Sequence, residues 1–340
     1  MNSRQDSRTN VLTWPDADGS MTPMVTRPQI DPCFSIPSDR TCTCPPNRLS
    51  CLSAKEWIKC QLGVWRFTYE RRDIRDKKLH PATFPIALAR RVIDLFSHEG
   101  ELVLDPFVGS GTTLIAASDA RRNAVGFDLQ EAYVRLSEER LSAGAVEPLF
   151  NKSQQIAVCD DARNAPSYLG LDTVKLIFTS PPYANLLNRP RLNKSRRTHD
   201  RKNGQYLQVE QYSQDSRDLG TLAMDAYCAE MAVIFGALLP VLKPGGRCVI
   251  DIPDMWWEDQ RITLHIGLVD ALRRVGYELR NIIIWDRTNI VNRIGIFGWP
   301  SNYITMGTTF EYLLDFIRPI RTGGSVQPME AAHADGPSIS

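Results

Sequence analysis

The sequence predicts an α/β protein built on one open, largely parallel sheet with helices on both faces. Two observations carry this expectation. Short apolar runs alternate with segments of helical periodicity between residues 87 and 317, and the first three of those runs end in, or run straight into, carboxylates. A chain of 340 residues, 43% hydrophobic and 23% charged, can bury the core of one large domain.

The elements follow in order. Residues 87–96 read as an amphipathic helix preceded by the proline-punctuated His80-Pro81-Ala82-Thr83-Phe84-Pro85. Residues 101–105 read as a buried strand ending in Asp105, followed by a loop holding Gly109 and Gly111 and a helix through Ala117. Further strands are expected at 123–128, 155–159, 174–179, 247–252, 281–285 and 312–317, seven in all. Leu242-Lys243-Pro244-Gly245-Gly246 reads as a helix stop and turn. Residues 1–50 and 321–340, rich in small and polar residues, read as a flexible leader and a flexible tail around a folded domain at 51–320.

Composition narrows the function classes. A formal net charge of +1 gives no global sign of a polyanion-binding protein, so any nucleic-acid surface must come from local clustering. No apolar run is long enough to span a bilayer and residues 1–10 are polar, so a cytoplasmic location is expected, with nucleoid association if the source is bacterial. Cys33, Cys42, Cys44, Cys51 and Cys60 crowd the N-terminal part without a Cys-x-x-Cys knuckle or paired histidines. They read as reduced thiols, and no metal is expected.

The glycine loop after Asp105 lets the backbone approach a ligand at the carboxyl edge of the sheet. Alone, it reads equally well as a tight strand-to-helix turn. Near twenty residues on, Asp128 ends the next strand where an acid accepts hydrogen bonds from two ribose hydroxyls, and Asp161 follows the third strand, suited to an adenine amino group. Three strand-end carboxylates at one edge point to a nucleoside.

These residues resemble the amino-methyltransferases acting on DNA, whose cofactor loop has the form Asp-Pro-Phe-x-Gly-Ser-Gly-Thr. It stands complete here from Asp105 through Phe107, Gly109, Ser110 and Gly111 to Thr112. The resemblance implies a Rossmann-like S-adenosylmethionine-dependent methyltransferase fold with a mostly parallel seven-stranded sheet. It assigns Asp105, Gly109 and Gly111 to the methionine end of S-adenosylmethionine, Asp128 to the ribose and Asp161 to the adenine. Phe84 and Pro85 match the segment that closes the methionine pocket, although Phe84 reads equally as a core aromatic.

The apolar run 174–178 delivers Thr179-Ser180-Pro181-Pro182-Tyr183 to the same edge. Consecutive prolines lock the backbone and remove two amide donors, leaving carbonyls to face a ligand. An aromatic amine has its lone pair delocalised into the ring. Acceptors at its two hydrogens, the Pro181 carbonyl and the Ser180 side chain, would draw it toward tetrahedral geometry. Tyr183 is the expected stacking face for an extruded base. Ser-Pro-Pro-Tyr is the resembling family's catalytic motif, and Ser180 favours cytosine N4 over adenine N6.

After Tyr183, Arg189, Arg191, Lys194, Arg196, Arg197, Arg201 and Lys202 form a polycationic stretch suited to phosphates, within a DNA-recognition insertion expected at about 184–225. The expected partners are double-stranded DNA and, as an open alternative, a cognate restriction endonuclease. Gly298 to Asn302 reads as another DNA-contacting loop. The cofactor motif precedes the catalytic motif, the reverse of many relatives with Ser-Pro-Pro-Tyr. RNA amine methylation and a non-catalytic DNA-binding regulator remain alternatives.

Overall fold

The computed structural model describes residues 36–74, 84–144, 153–183, 217–257, 260–290, 298–299, 303–304 and 308–320. The chain opens with α1 (Ala54–Cys60), β1 (Val64–Arg66), α2 (Arg71–Ile74) and α3 (Ile86–Phe96). The central unit is β2 (Leu102–Asp105), α4 (Thr112–Asp119), β3 (Asn123–Asp128), α5 (Glu131–Gly144), β4 (Gln155–Cys159), α6 (Ala165–Tyr168) and β5 (Val174–Thr179). There follow α7 (Met224–Leu238), β6 (Leu242–Ile252), β7 (Met255–Trp257), β8 (Gln260–Ile262), α8 (Leu264–Arg274), β9 (Glu278–Asp286), β10 (Gly298–Trp299), β11 (Tyr303–Ile304) and β12 (Phe310–Ile317).

The main sheet has eight strands in the order β1-β9-β12-β6-β5-β2-β3-β4, parallel except for β12, which runs antiparallel to both its neighbours. From β2 the chain steps outward to β3 and β4, then returns to the other side of β2 for β5 and β6. Right-handed crossovers therefore place α4 and α5 on one face and α6 and α7 on the other. Accordingly α3, α4 and α5 pack side by side, as do α6, α7 and α8.

The strands in the middle are apolar because helices cover both faces. All four residues of β2 are buried, as are Leu176, Ile177, Phe178 and Thr179 of β5. Against them α3 buries Leu88, Ala89, Val92, Ile93 and Leu95, the stripe its periodicity forecast. Its neighbour α4 is buried from Thr112 to Ala117, and its short side chains let it fit between α3 and α5.

Three expectations need correction. The sheet has an eighth strand, β1, which adds in parallel to the edge of β9. Residues 242–246 belong to β6 rather than to a turn: Gly245, at φ +75°, is absorbed within the strand, and its amide donates to the Arg318 carbonyl at 2.8 Å. Residues 36–50, counted with the flexible leader, are pinned to the domain. Thr41 donates its amide to Glu99 O at 2.7 Å, and Asn123 and Lys243 donate to the Pro37 and Ser38 carbonyls, each at 2.9 Å. Among the described residues no helix is long and apolar enough to cross a membrane.

Gly111 caps α4 at φ +78°, and a Cβ there would stand 2.5 Å from Ser137 Cβ on α5. Left-handed strain and overpacking together make Gly111→Ala cost about 2–4 kcal/mol of stability. Urea denaturation measures this, and a loss under about 0.5 kcal/mol would mean that the loop relaxes freely.

Candidate active site

Chain order reverses between β2 and β5, and such a reversal opens a crevice at the carboxyl ends of the strands. The loops after four neighbouring strands line one cleft there: Phe107 and Gly109 after β2, Leu129 and Gln130 after β3, Asp160 to Arg163 after β4, and Ser180 to Pro182 after β5. Tyr133, Arg217, Asp218, Leu219 and Ile234 complete the walls. The cleft encloses about 760 Å³ when the part open to solvent is included. Gly109 and Pro181, from the two motifs, share it.

One end is arranged around Asp128. Gly109, at φ +48°, donates its amide to Asp128 Oδ2 at 3.0 Å, and Gln130 donates to Oδ1 at 2.9 Å. These bonds fix the carboxylate while leaving a lone-pair position on each oxygen for a ligand. Burial pushes the Asp128 pKa up to about 6.

Asp161 also lines the cleft but is already engaged. Arg163 forks onto it, Nε to Oδ1 at 2.9 Å and Nη2 to Oδ2 at 2.8 Å, with Arg217 at 3.5 Å. Burial raises the carboxyl pKa, but these hydrogen bonds and charges outweigh it and hold it below the usual range. With the Arg163 amide also donating to Oδ1 at 3.0 Å, the roughly four acceptor positions of the carboxylate are filled, and a ligand donor would take the place of the long Arg217 contact. Sequence reasoning missed Arg163, Arg217 and Tyr133, whose positions carry no motif signal.

Several expected cofactor residues stand behind the wall rather than in it. Asp105, 1% exposed, lies beneath the floor. Its Oδ1 accepts from the Thr179 hydroxyl at 2.6 Å and from the Phe107 amide at 3.1 Å, and burial pushes its pKa up to about 6. The Ser110 and Thr112 hydroxyls accept from the Arg140 guanidinium at 3.0 and 3.4 Å, so they tie the loop to α5. Gly111 serves the helix cap. Phe84 packs edge-on against Phe178 with centroids 5.3 Å apart, the core role that its alternative reading assigned, and Pro85 caps α3.

In the Ser-Pro-Pro-Tyr turn, Ser180, Pro181 and Pro182 line the cleft. Tyr183 does not have an open face: it is 8% exposed, with its hydroxyl 2.9 Å from Ser180 Oγ. The contact ties Tyr183 to Ser180 within the turn. Arg189, Arg191, Lys194, Arg196, Arg197, Arg201 and Lys202 lie outside the described residues, as do the side chains of the 298–302 loop.

Comparison with known proteins bears on the segment that carries this loop. The family model described as "DNA methylase" matches residues 47–139. The Type II methyltransferase M.HpaI of Haemophilus parainfluenzae is 39% identical over 81 residues, 24% of this chain and 26% of that protein. The Type II methyltransferase M.BglI of Bacillus subtilis is 36% identical over 91 residues, 26% of this chain and 25% of that protein. The matched stretches thus span about a quarter of the length of these curated relatives. A SAM-dependent O-methyltransferase of Thermotoga maritima superposes over 73% of this chain and 71% of its own, with 14% identity and a TM-score of 0.41. The matched residues 47–139 hold the cofactor loop and the strands on either side of it, and it is over this stretch that the chain is similar to the DNA methylases.

Proposed function

We propose that this chain transfers a methyl group from S-adenosylmethionine to the exocyclic N4 amine of cytosine in a specific sequence of double-stranded DNA, acting on a base turned out of the helix. The observation that carries the reading is that the methylase-type glycine loop and the Ser-Pro-Pro-Tyr turn open into one cleft. Its donor set suits the cofactor: a close-approach glycine, a buried strand-end carboxylate with free acceptor positions, and apolar walls at Phe107, Leu129 and Ile234.

When bound, S-adenosylmethionine supplies an electrophilic methyl carried on a positively charged sulfur. Asp128 orients the ribose through two charge-assisted hydrogen bonds, and Asp161 and Ala162 meet the adenine edge. Ser180 Oγ and the Pro181 carbonyl accept the two hydrogens of the target amine, which moves its lone pair out of the ring plane toward the methyl. Tyr183 fixes Ser180, and so the acceptor is in place before the base arrives. A neutral hydroxyl at 180 and the resemblance to Ser-Pro-Pro-Tyr methylases favour cytosine N4. Adenine N6 is the alternative.

The deciding measurement is the identity of the modified nucleoside after expression in a host that lacks it, read by mass spectrometry of digested DNA. N4-methylcytosine is expected; N6-methyladenine reassigns the base, and labelled methyl transfer confined to RNA ends the DNA reading. Ser180→Ala should lower kcat by about 10- to 100-fold with cofactor affinity unchanged, because only the amine contact is lost. Asp128→Asn should weaken cofactor binding about 10- to 100-fold. Since the Asp128 pKa stands at about 6, wild-type affinity should fall as pH drops from 7.5 to 5, and calorimetry should show the Asn variant losing that dependence.

A further inference from the structure

We infer that Cys42, Cys44, Cys51 and His98 form a structural zinc site that fastens the N-terminal segment to the domain. One ligand atom from each residue lies within 4.8 Å of all the others, although His98 is 47 positions beyond Cys51 in the chain. Cys42 Sγ and Cys51 Sγ stand 3.3 and 3.5 Å from His98 Nδ1. A tetrahedral zinc with ordinary bond lengths sets sulfur and nitrogen about 3.6 Å apart, so these spacings are already those of a coordination shell.

The histidine is prepared for this role. Its Nε2 is 3.0 Å from the Arg48 carbonyl, which can only accept, so the proton sits on Nε2 and the Nδ1 lone pair faces the sulfurs. That single lone pair can accept one S–H at most, and two sulfurs crowd it. A thiol cluster held only by hydrogen bonds leaves one of them without a partner atom on the ring. The Glu99 amide points at Cys51 Sγ from 3.4 Å, the kind of N–H contact that supports a metal-bound thiolate. Three thiolates and a dication leave a net charge of −1. The buried Arg122 guanidinium is close by, donating to the carbonyl of Ser97 at 2.8 Å.

The surroundings argue for a structural ion. Residues 36–52 contain no helix or strand, and of these only Ser50 is buried, so apolar burial does little to hold them. They nevertheless run so close to the domain that a Cβ on Gly100 would meet Asp39 O at 2.6 Å. His98 precedes β2, at the amino edge of the sheet, opposite the cleft. Four protein ligands close the shell and leave no position for a substrate.

The full chain, expressed with zinc supplied and freed of loosely held metal, should carry about one zinc per molecule by elemental mass spectrometry. Cobalt(II) in its place should give the visible absorption and thiolate charge-transfer bands of a tetrahedral site. Cys44→Ser and His98→Ala should lower bound zinc to about a tenth or less, whereas Cys60→Ser, outside the cluster, should leave it in place. Chelation should lower the melting temperature of the wild type and of Cys60→Ser alike. A native chain with less than about a tenth of an equivalent that takes up no cobalt overturns the inference. So does zinc retained undiminished in both variants, or a disulfide between any two of the three cysteines. If a variant does not fold, the cobalt spectrum of the wild type decides. None of these readings depends on methyl transfer.

Discussion

The site rests on one buried carboxylate. Asp105 accepts hydrogen bonds from Thr179, the residue before the Ser-Pro-Pro-Tyr turn, and from Phe107 in the glycine loop. Two loops separated by more than seventy residues are thereby locked at a fixed spacing across the crevice between β2 and β5. A group that instead reached into the cleft would contribute one ligand contact. From beneath the floor, it sets the distance between the walls on which all the proposed contacts lie.

Burial gives this arrangement an electrostatic bias. Asp105 and Asp128 both resist ionisation because water is excluded around them, and among the described residues no cation offsets that effect at either. A positively charged occupant would relieve both. The argininyl partners stand instead around Asp161, whose carboxyl is already satisfied as an anion. Among the described residues the cleft is therefore polarised along its length, with under-compensated negative charge toward the glycine loop and a neutralised pair toward the loop after β4.

How much of this the sequence revealed follows from where each residue sits. The strands at 123–128 and 174–179 match to the residue because covered parallel strands print continuous apolar runs, and the half-buried edge strand at 155–159 matches as well. The edge strand β1 has only three residues in an exposed-buried-exposed pattern, too short to stand out from a loop. Asp105 was visible as a strand-end acid, but which way its side chain turned depended on Thr179, 74 positions away. Tyr183 was legible as part of a motif, yet its burial is set by tertiary packing. The cysteine cluster was opaque for the same reason: the histidine that completes it lies between α3 and β2 and bears no local relation to the thiols.

The antiparallel strand β12 joins two parts of the sheet that otherwise have no common border, since β9 and β1 reach β6 only through it. It is also the last strand among the described residues. During synthesis, the cleft-bearing strands can assemble while β1, made early, waits for β9 and then for residues 310–317 to leave the ribosome. The sheet therefore closes last at this antiparallel seam, and a chain cut short of Phe310 would keep the strands around the cleft yet leave an unpaired, aggregation-prone border on β6.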